Sequence, residues 1–200
     1  RLYDPRDLSV HEDMAVLISG ARIAAVGSDA QLTQELNNDA AEFLTLDAEG
    51  KFLMPGLWDS HQHFGDTTGL MDIASGVTSA RDLANDSESM LARKNRFDEG
   101  SEIGPRVLLG GFMDGPGPLA GPTKVLVDSA AEADEWVEWY AQRDYRQIKV
   151  YSSLKPSLVN SIARSAHSRG LRLSGHVPAF MSAEEFIRAG ADEIQHLNML

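Results

Sequence analysis

The segment Pro55-Gly56-Leu57-Trp58-Asp59-Ser60-His61-Gln62-His63 carries two imidazoles two residues apart. On a β-strand alternate residues share a face, so Asp59, His61 and His63 point one way and Trp58, Ser60 and Gln62 the other. Two imidazoles so placed at a strand end can bind one metal ion, and Asp59 behind them is placed to orient a ligand. An isolated His-x-His pair arises by accident at least as often as by function, so the other strand ends decide.

Two further histidines occupy such ends, His176 in Ser174-Gly175-His176-Val177-Pro178 and His196 in Ile194-Gln195-His196. A lone strand-end histidine is more often a packing or surface residue. Here three separate strands end in one, at the face where parallel α/β barrels build their sites. Lys149, in Gln147-Ile148-Lys149-Val150-Tyr151, adds a fourth strand. Ile148 and Val150 should face helices, which turns Lys149 inward with Gln147 and Tyr151. A lysine inside a sheet is costly unless paired or deprotonated. Beside a dication its amine must be neutral or chemically altered; the plain alternative is an ion pair with Asp or Glu at a barrel mouth.

The elements that would position these residues follow from the apolar pattern. Residues 1–52 read as a small β-unit. Met14–Ile18 and Arg22–Val26 form a hairpin about Ser19-Gly20-Ala21, a short helix spans Gln31–Asn37, and a strand spans Glu42–Leu46. From residue 53 onward short strands alternate with amphipathic helices, the signature of βαβ units. The expected strands are Leu57–His63, Thr78–Leu83, Arg106–Gly110, Gln147–Tyr151, Leu171–His176 and Glu193–Leu197. Helices are expected near 67–75, 87–98, 129–142, 157–169 and 182–189. Ser182-x-x-Glu185 is a capping box, Pro156 is suited to open a helix, and Gly170 and Gly190 are suited to close theirs. Ala133, Trp136, Val137 and Tyr140 share one helix face, which reads as helix-to-sheet packing. The Gly- and Pro-rich stretch Gly110–Pro122 reads as a loop on the site face. The fold class is therefore α/β with a parallel sheet; six strands do not close an eight-stranded barrel, so the segment reads either as a truncated piece of a (β/α)₈-type barrel or as a smaller open sheet. The expected domains are 1–52, the small β-unit, and 53–200, the alternating strands and helices.

The 200 residues carry a formal charge of −12 and no cysteine. Disulfides and thiolate metal sites are excluded, and nucleic acid or an anionic membrane is not expected as a partner. No apolar run approaches the ~18 residues of a spanning helix. No initiating Met opens the chain, so a missing N-terminus is expected; cytoplasmic and exported locations both fit. A homo-oligomer fits equally. His11 lies in the N-terminal β-unit, far in sequence from the candidate site, and His167 near a helix C-terminus, where a cation favours the helix dipole.

The combined motifs resemble the amidohydrolase superfamily over nearly the whole chain. They are the Pro-Gly-Leu-x-Asp-x-His-x-His first strand, the Ile-Lys-Val-Tyr fourth, the Gly-His-Val-Pro fifth and the Gln-His sixth. The likeness is to the imidazolonepropionase-related branch, which includes Xaa-Pro dipeptidases (prolidases). The resemblance implies a (β/α)₈-type barrel of which residues 53–200 hold the first six strands, preceded over 1–52 by part of a small β-sandwich, and two divalent metal ions, zinc by default. His61 and His63 would bind the more buried one and His176 and His196 the second, with Lys149 bridging them as a CO₂-derived carbamate. It implies attack of a metal-activated hydroxide on an amide carbonyl, with Tyr151 holding a substrate carboxylate or the developing oxyanion. The substrate class is a small amide or dipeptide ending in proline or a similar residue. The family's catalytic Asp ends an eighth strand. It is expected beyond Leu200, so the chain alone is expected to be an inactive N-terminal fragment. The alternatives are a mononuclear cyclic-amide hydrolase or deaminase, which does not require a carboxylated lysine, and a non-catalytic barrel relative.

Overall fold

The computed structural model describes residues 1–37 and 42–197. Contacts divide the chain into two units, Arg1–Gly56 and Leu57–Leu200.

The first unit contains β1 (Leu2–Asp4), β2 (Ser9–His11), β3 (Met14–Ser19), β4 (Arg22–Ser28) and α1 (Asp29–Asn37). β1 pairs antiparallel with β2, and β3 with β4. The hairpin joining β3 to β4 turns at Gly20, whose φ of 59° costs a glycine nothing. The expected strand at Glu42–Leu46 is not formed. Leu44 and Leu46 are 84% and 83% exposed, and no described strand lies beside this segment. An apolar stretch becomes a strand only when a neighbour takes its backbone hydrogen bonds. Leu53 meets β1 instead, accepting from Tyr3 N at 2.9 Å.

The second unit alternates β5 (Leu57–Gln62), α2 (Thr68–Ala74), β6 (Val77–Asp82), α3 (Ser87–Glu99), β7 (Arg106–Met113), α4 (Ala130–Ala141), β8 (Tyr145–Val150), α5 (Pro156–Ser168), β9 (Arg172–Gly175), α6 (Ala183–Arg188) and β10 (Glu193–Ile194). The six strands lie in chain order, each parallel to the next. The caps follow the local chemistry. Ser182 and Glu185 form a reciprocal capping box, Pro156 opens α5, and Gly170 follows α5 with φ 73°. Helix α4 buries Ala133, Val137 and Tyr140, with Trp136 packed beside them. α5 buries Val159, Ile162 and Ala166. Each large apolar side chain so buried contributes about 1.5–3 kcal/mol.

β7 runs three residues past Gly110, so the loop expected from there begins only at Asp114. Gly110 and Gly111 are sites of close approach rather than turn residues. A Cβ on Gly111 would lie 2.6 Å from the Tyr140 ring, and one on Gly110 would lie 2.9 Å from the Asp82 carbonyl.

The sheet is strongly curled into a half-barrel. Arg81 on β6 and Glu193 on β10 meet at 2.6 Å although three strands separate theirs. In a flat sheet four strand spacings would hold them about 19 Å apart. None of the described helices is long and apolar enough to cross a membrane.

Candidate metal centre

Every candidate side chain sits at, or one or two residues past, the C-terminal end of a parallel strand. His61 lies within β5 and His63 just beyond it, Lys149 within β8 and Tyr151 after it, His176 after β9, and His196 after β10. Apart from β7, the strands end slightly earlier than the apolar pattern suggests. Side chains at these exits are free of the ladder yet still held by it; His176 N donates to Val150 O at 3.0 Å.

The curl brings the imidazoles together. The His61 ring centroid lies 5.2 Å from that of His63 and 4.6 Å from that of His196, which is 5.0 Å from that of His176. Tyr151 stacks on His176 at 3.9 Å. His196 reaches this cluster through an unusual backbone, with φ at 71°. Adjacent strand residues point to opposite faces, and a left-handed residue breaks that alternation. Gln195 and His196 thereby both face His61. The conformation costs a non-glycine residue about 1–2 kcal/mol.

Three of the four rings are steered through Nδ1. Nδ1 of His61 lies 2.7 Å from Gln195 Oε1, that of His63 3.2 Å from Ala84 O, and that of His176 3.3 Å from Ser152 Oγ. Asp59 acts differently from expectation. Its carboxylate accepts the backbone N–H of His61 at 3.0 Å rather than steering an imidazole. It fixes the strand end, and Gln195 takes the ring. Gln195 and Ser152 were not singled out from sequence. The available signal was the polar pair Glu193 and Gln195, two residues apart in a strand that should be apolar.

Lys149 is fully buried on a central strand, flanked by Phe112 of β7 and Ser174 of β9. No carboxylate pairs with its Nζ among the described residues, which removes the ion-pair alternative; its nearest aromatic partner is the Tyr151 ring at 4.9 Å. Burial, reinforced by the positive charge of Arg81, lowers its ammonium to about 8. Burial and then the charge of Lys149 lower His176 to about 4, and the same causes lower His61 and His196. Neutral imidazole, the form that ligates metals, is thus favoured at all three.

Nε2 of His61, Nε2 of His176 and Nζ of Lys149 are buried and lack any hydrogen-bond partner among the described residues. An unsatisfied buried polar atom costs about 1–3 kcal/mol, so such a group calls for a missing partner. Among the described residues no three His, Asp or Glu side chains already close on a common point as a cage. The orphaned nitrogens, with His63 and His196 beside them, nevertheless form a donor set suited to a borderline divalent ion such as zinc.

The remaining histidines do other work. His11 bonds Ser9 and His167 bonds Asp192, both at 2.9 Å. A cavity of about 440 Å³ opens between Trp58, Arg81, Gln147 and Glu193, but none of the candidate ligands lines it.

No family model matches the chain. Over 58 residues it is 41% identical to an imidazolonepropionase of Geobacillus sp. (strain WCH70), a stretch covering 29% of this chain and 14% of that protein. The structure resembles a Xaa-Pro dipeptidase solved with bound methionine in its active site, with TM-score 0.68 and 15% identity over 94% of this chain. It also resembles an amidohydrolase, with TM-score 0.74 and 18% identity over 98% of this chain. The chain spans 57% and 59% of those two structures.

Proposed function

We propose, from the premise that the chain is a member of the amidohydrolase superfamily, that it carries the metal-binding half of a hydrolase acting on a carbon–nitrogen bond. The observation that carries this reading is the convergence of three buried, unpartnered nitrogens, on His61, Lys149 and His176, at the ends of three different strands.

His61 and His63 would hold one divalent ion, and His176 and His196 a second. A bound divalent ion supplies Lewis acidity, acidifying water and polarising a carbonyl oxygen. The chain's own residues do the rest. Gln195, Ala84 and Ser152 occupy the Nδ1 side of three rings, which leaves Nε2 as the ligating atom. Lys149, deprived of solvent and of any counter-ion, is suited to react as a free amine. Its nitrogen lone pair would add to the carbon of CO₂ and one N–H proton would leave to solvent, giving a carbamate whose single negative charge is shared by two oxygens and could serve as a metal ligand. Tyr151, with its phenol raised by burial, keeps its proton and can donate it as a hydrogen bond to a substrate carboxylate or a developing oxyanion. The half-barrel likeness to a Xaa-Pro dipeptidase supports a dipeptide ending in proline or a similar residue.

A second reading has its own support. The curated sequence relatives include an imidazolonepropionase, which favours a cyclic amide and one metal ion. Lys149 separates the two, because the one-metal reading leaves its buried amine without a purpose. The test, on the full-length protein, is metal analysis after incubation with zinc and bicarbonate, alongside hydrolysis of dipeptides, N-acyl amino acids and cyclic amides. Two equivalents, falling to one in Lys149→Ala, support the two-metal dipeptidase reading. One equivalent unaffected by that substitution supports the cyclic-amide reading, and fewer than one equivalent in the wild type overturns both.

A further inference from the structure

Gln195 reaches His61 from the opposite edge of the sheet, and its amide is not free to turn. Its Nε2 donates to Oε1 of Glu193, and a carboxylate can only accept. Oε1 of Gln195 is therefore the atom presented to Nδ1 of His61. An amide oxygen also only accepts, so Nδ1 must be the ring nitrogen that carries hydrogen. Nε2 is left with its lone pair, and it is the buried atom that has no partner.

Glu193 is itself held. Two guanidinium nitrogens of Arg81 donate to its two carboxylate oxygens, at 2.6 and 2.8 Å. Arg81 Nε donates in addition to Ser60 O at 2.7 Å, which fixes the guanidinium on the strand that carries His61. The paired forks set the carboxylate plane as well as its charge.

We infer that Arg81, Glu193 and Gln195 form a positioning relay that sets the tautomer of His61, delivering the ring to the metal site with Nε2 free of hydrogen. The inference rests on His61 being a metal ligand, yet the relay is a property of the metal-free protein. None of the three residues touches the reacting atoms. The charge at position 193 is what makes the relay directional. A neutral amide there could donate as well as accept, which would let Gln195 flip and present its N–H₂ to Nδ1. The hydrogen would then move to Nε2 and block the ligating lone pair.

The test is long-range ¹H–¹⁵N spectroscopy of the metal-free protein, with the His61 signals identified by their loss in His61→Gln. The wild type is expected to show hydrogen on Nδ1 of His61. Glu193→Gln and Gln195→Met are expected to move it wholly or partly to Nε2, and to weaken Zn²⁺ binding about 10–100-fold in chelator competition. A wild-type His61 protonated on Nε2, or a tautomer unmoved in both variants, overturns the relay. The wild-type spectrum alone decides if either variant fails to fold. A wild type with hydrogen on Nδ1 that binds no zinc supports the relay and overturns the metal assignment instead.

Discussion

Nδ1 of His61 and Oε1 of Gln195 are 2.7 Å apart, although the two residues belong to opposite edges of a six-stranded sheet. Five strand spacings would separate them by about 24 Å were the sheet flat. The candidate site therefore exists only because the sheet curls, and the contact between these residues registers that curl directly.

Lys149 should show the cost of a site kept ready for a partner. Its buried, unpartnered amine destabilises the metal-free protein. Lys149→Met keeps much of the side-chain volume and removes the polar atom. It is expected to raise metal-free stability by about 1–3 kcal/mol, read from urea unfolding. A loss of stability would mean that the amine has a bonding partner in solution.

Zinc should reverse that ranking. At a free concentration 100 times its Kd, an ion bound only by the folded state adds about 2.7 kcal/mol. Thermal unfolding of the wild type is expected to move up with zinc and back down with chelator. The shift should shrink in Lys149→Met and in His176→Ala, and equal shifts in all three proteins would place the ion elsewhere.

The Arg81–Glu193 pair ties β6 to β10 across the curl. Arg81→Met leaves the Glu193 carboxylate without its cation. Both side chains retain some exposure, so the expected loss is about 2 kcal/mol, below the about 3–5 of a fully buried pair. Denaturant unfolding measures it, and a loss under about 0.5 kcal/mol would show the pair to be incidental.

Gly111 lies where β7 meets α4. Gly111→Ala would drive a Cβ into the Tyr140 ring, whose hydroxyl donates to Phe112 O at 3.0 Å. Overpacking of this kind costs about 1–3 kcal/mol. A lower Tm is expected, whereas Gly76→Ala meets no neighbour and is strained only by its positive φ.

Asp192 sets part of the acid sensitivity. Burial alone would raise its carboxyl, but hydrogen bonds from His167 and from Leu173 N outweigh burial and lower it. A lowered folded pKa contributes stability that is present above the ordinary carboxylate value of about 3.9 and is lost as pH falls through the folded value. Stability measured down to pH 2 should therefore fall less steeply in Asp192→Asn than in the wild type. Parallel acid limbs would show that the carboxylate is not held.

Much of the site was legible because period-two alternation and strand ends are local facts. His61, His63, Lys149, His176 and His196 could be placed on strand exits from their immediate neighbours, and the capping box at Ser182 and the Pro156 start from short-range chemistry. Glu42–Leu46 was misread because a strand needs a partner that its own residues do not specify. Gly110 and Gly111 were misread because a turn glycine and a glycine under an aromatic ring look alike in one dimension.

The sequence by itself determined the alternation of strands and helices, the identity of the candidate ligands and the absence of cysteine from these 200 residues. Those depend on residue type and on spacings of a few residues. Tertiary structure alone decided that Asp59 would hold a backbone amide while Gln195, 134 residues from His61, would take the ring. It also decided that Lys149 would find no carboxylate among the described residues. The reason is physical: hydrogen-bond partners across a curled sheet are set by curvature, and curvature is the summed outcome of packing between all its strands and helices.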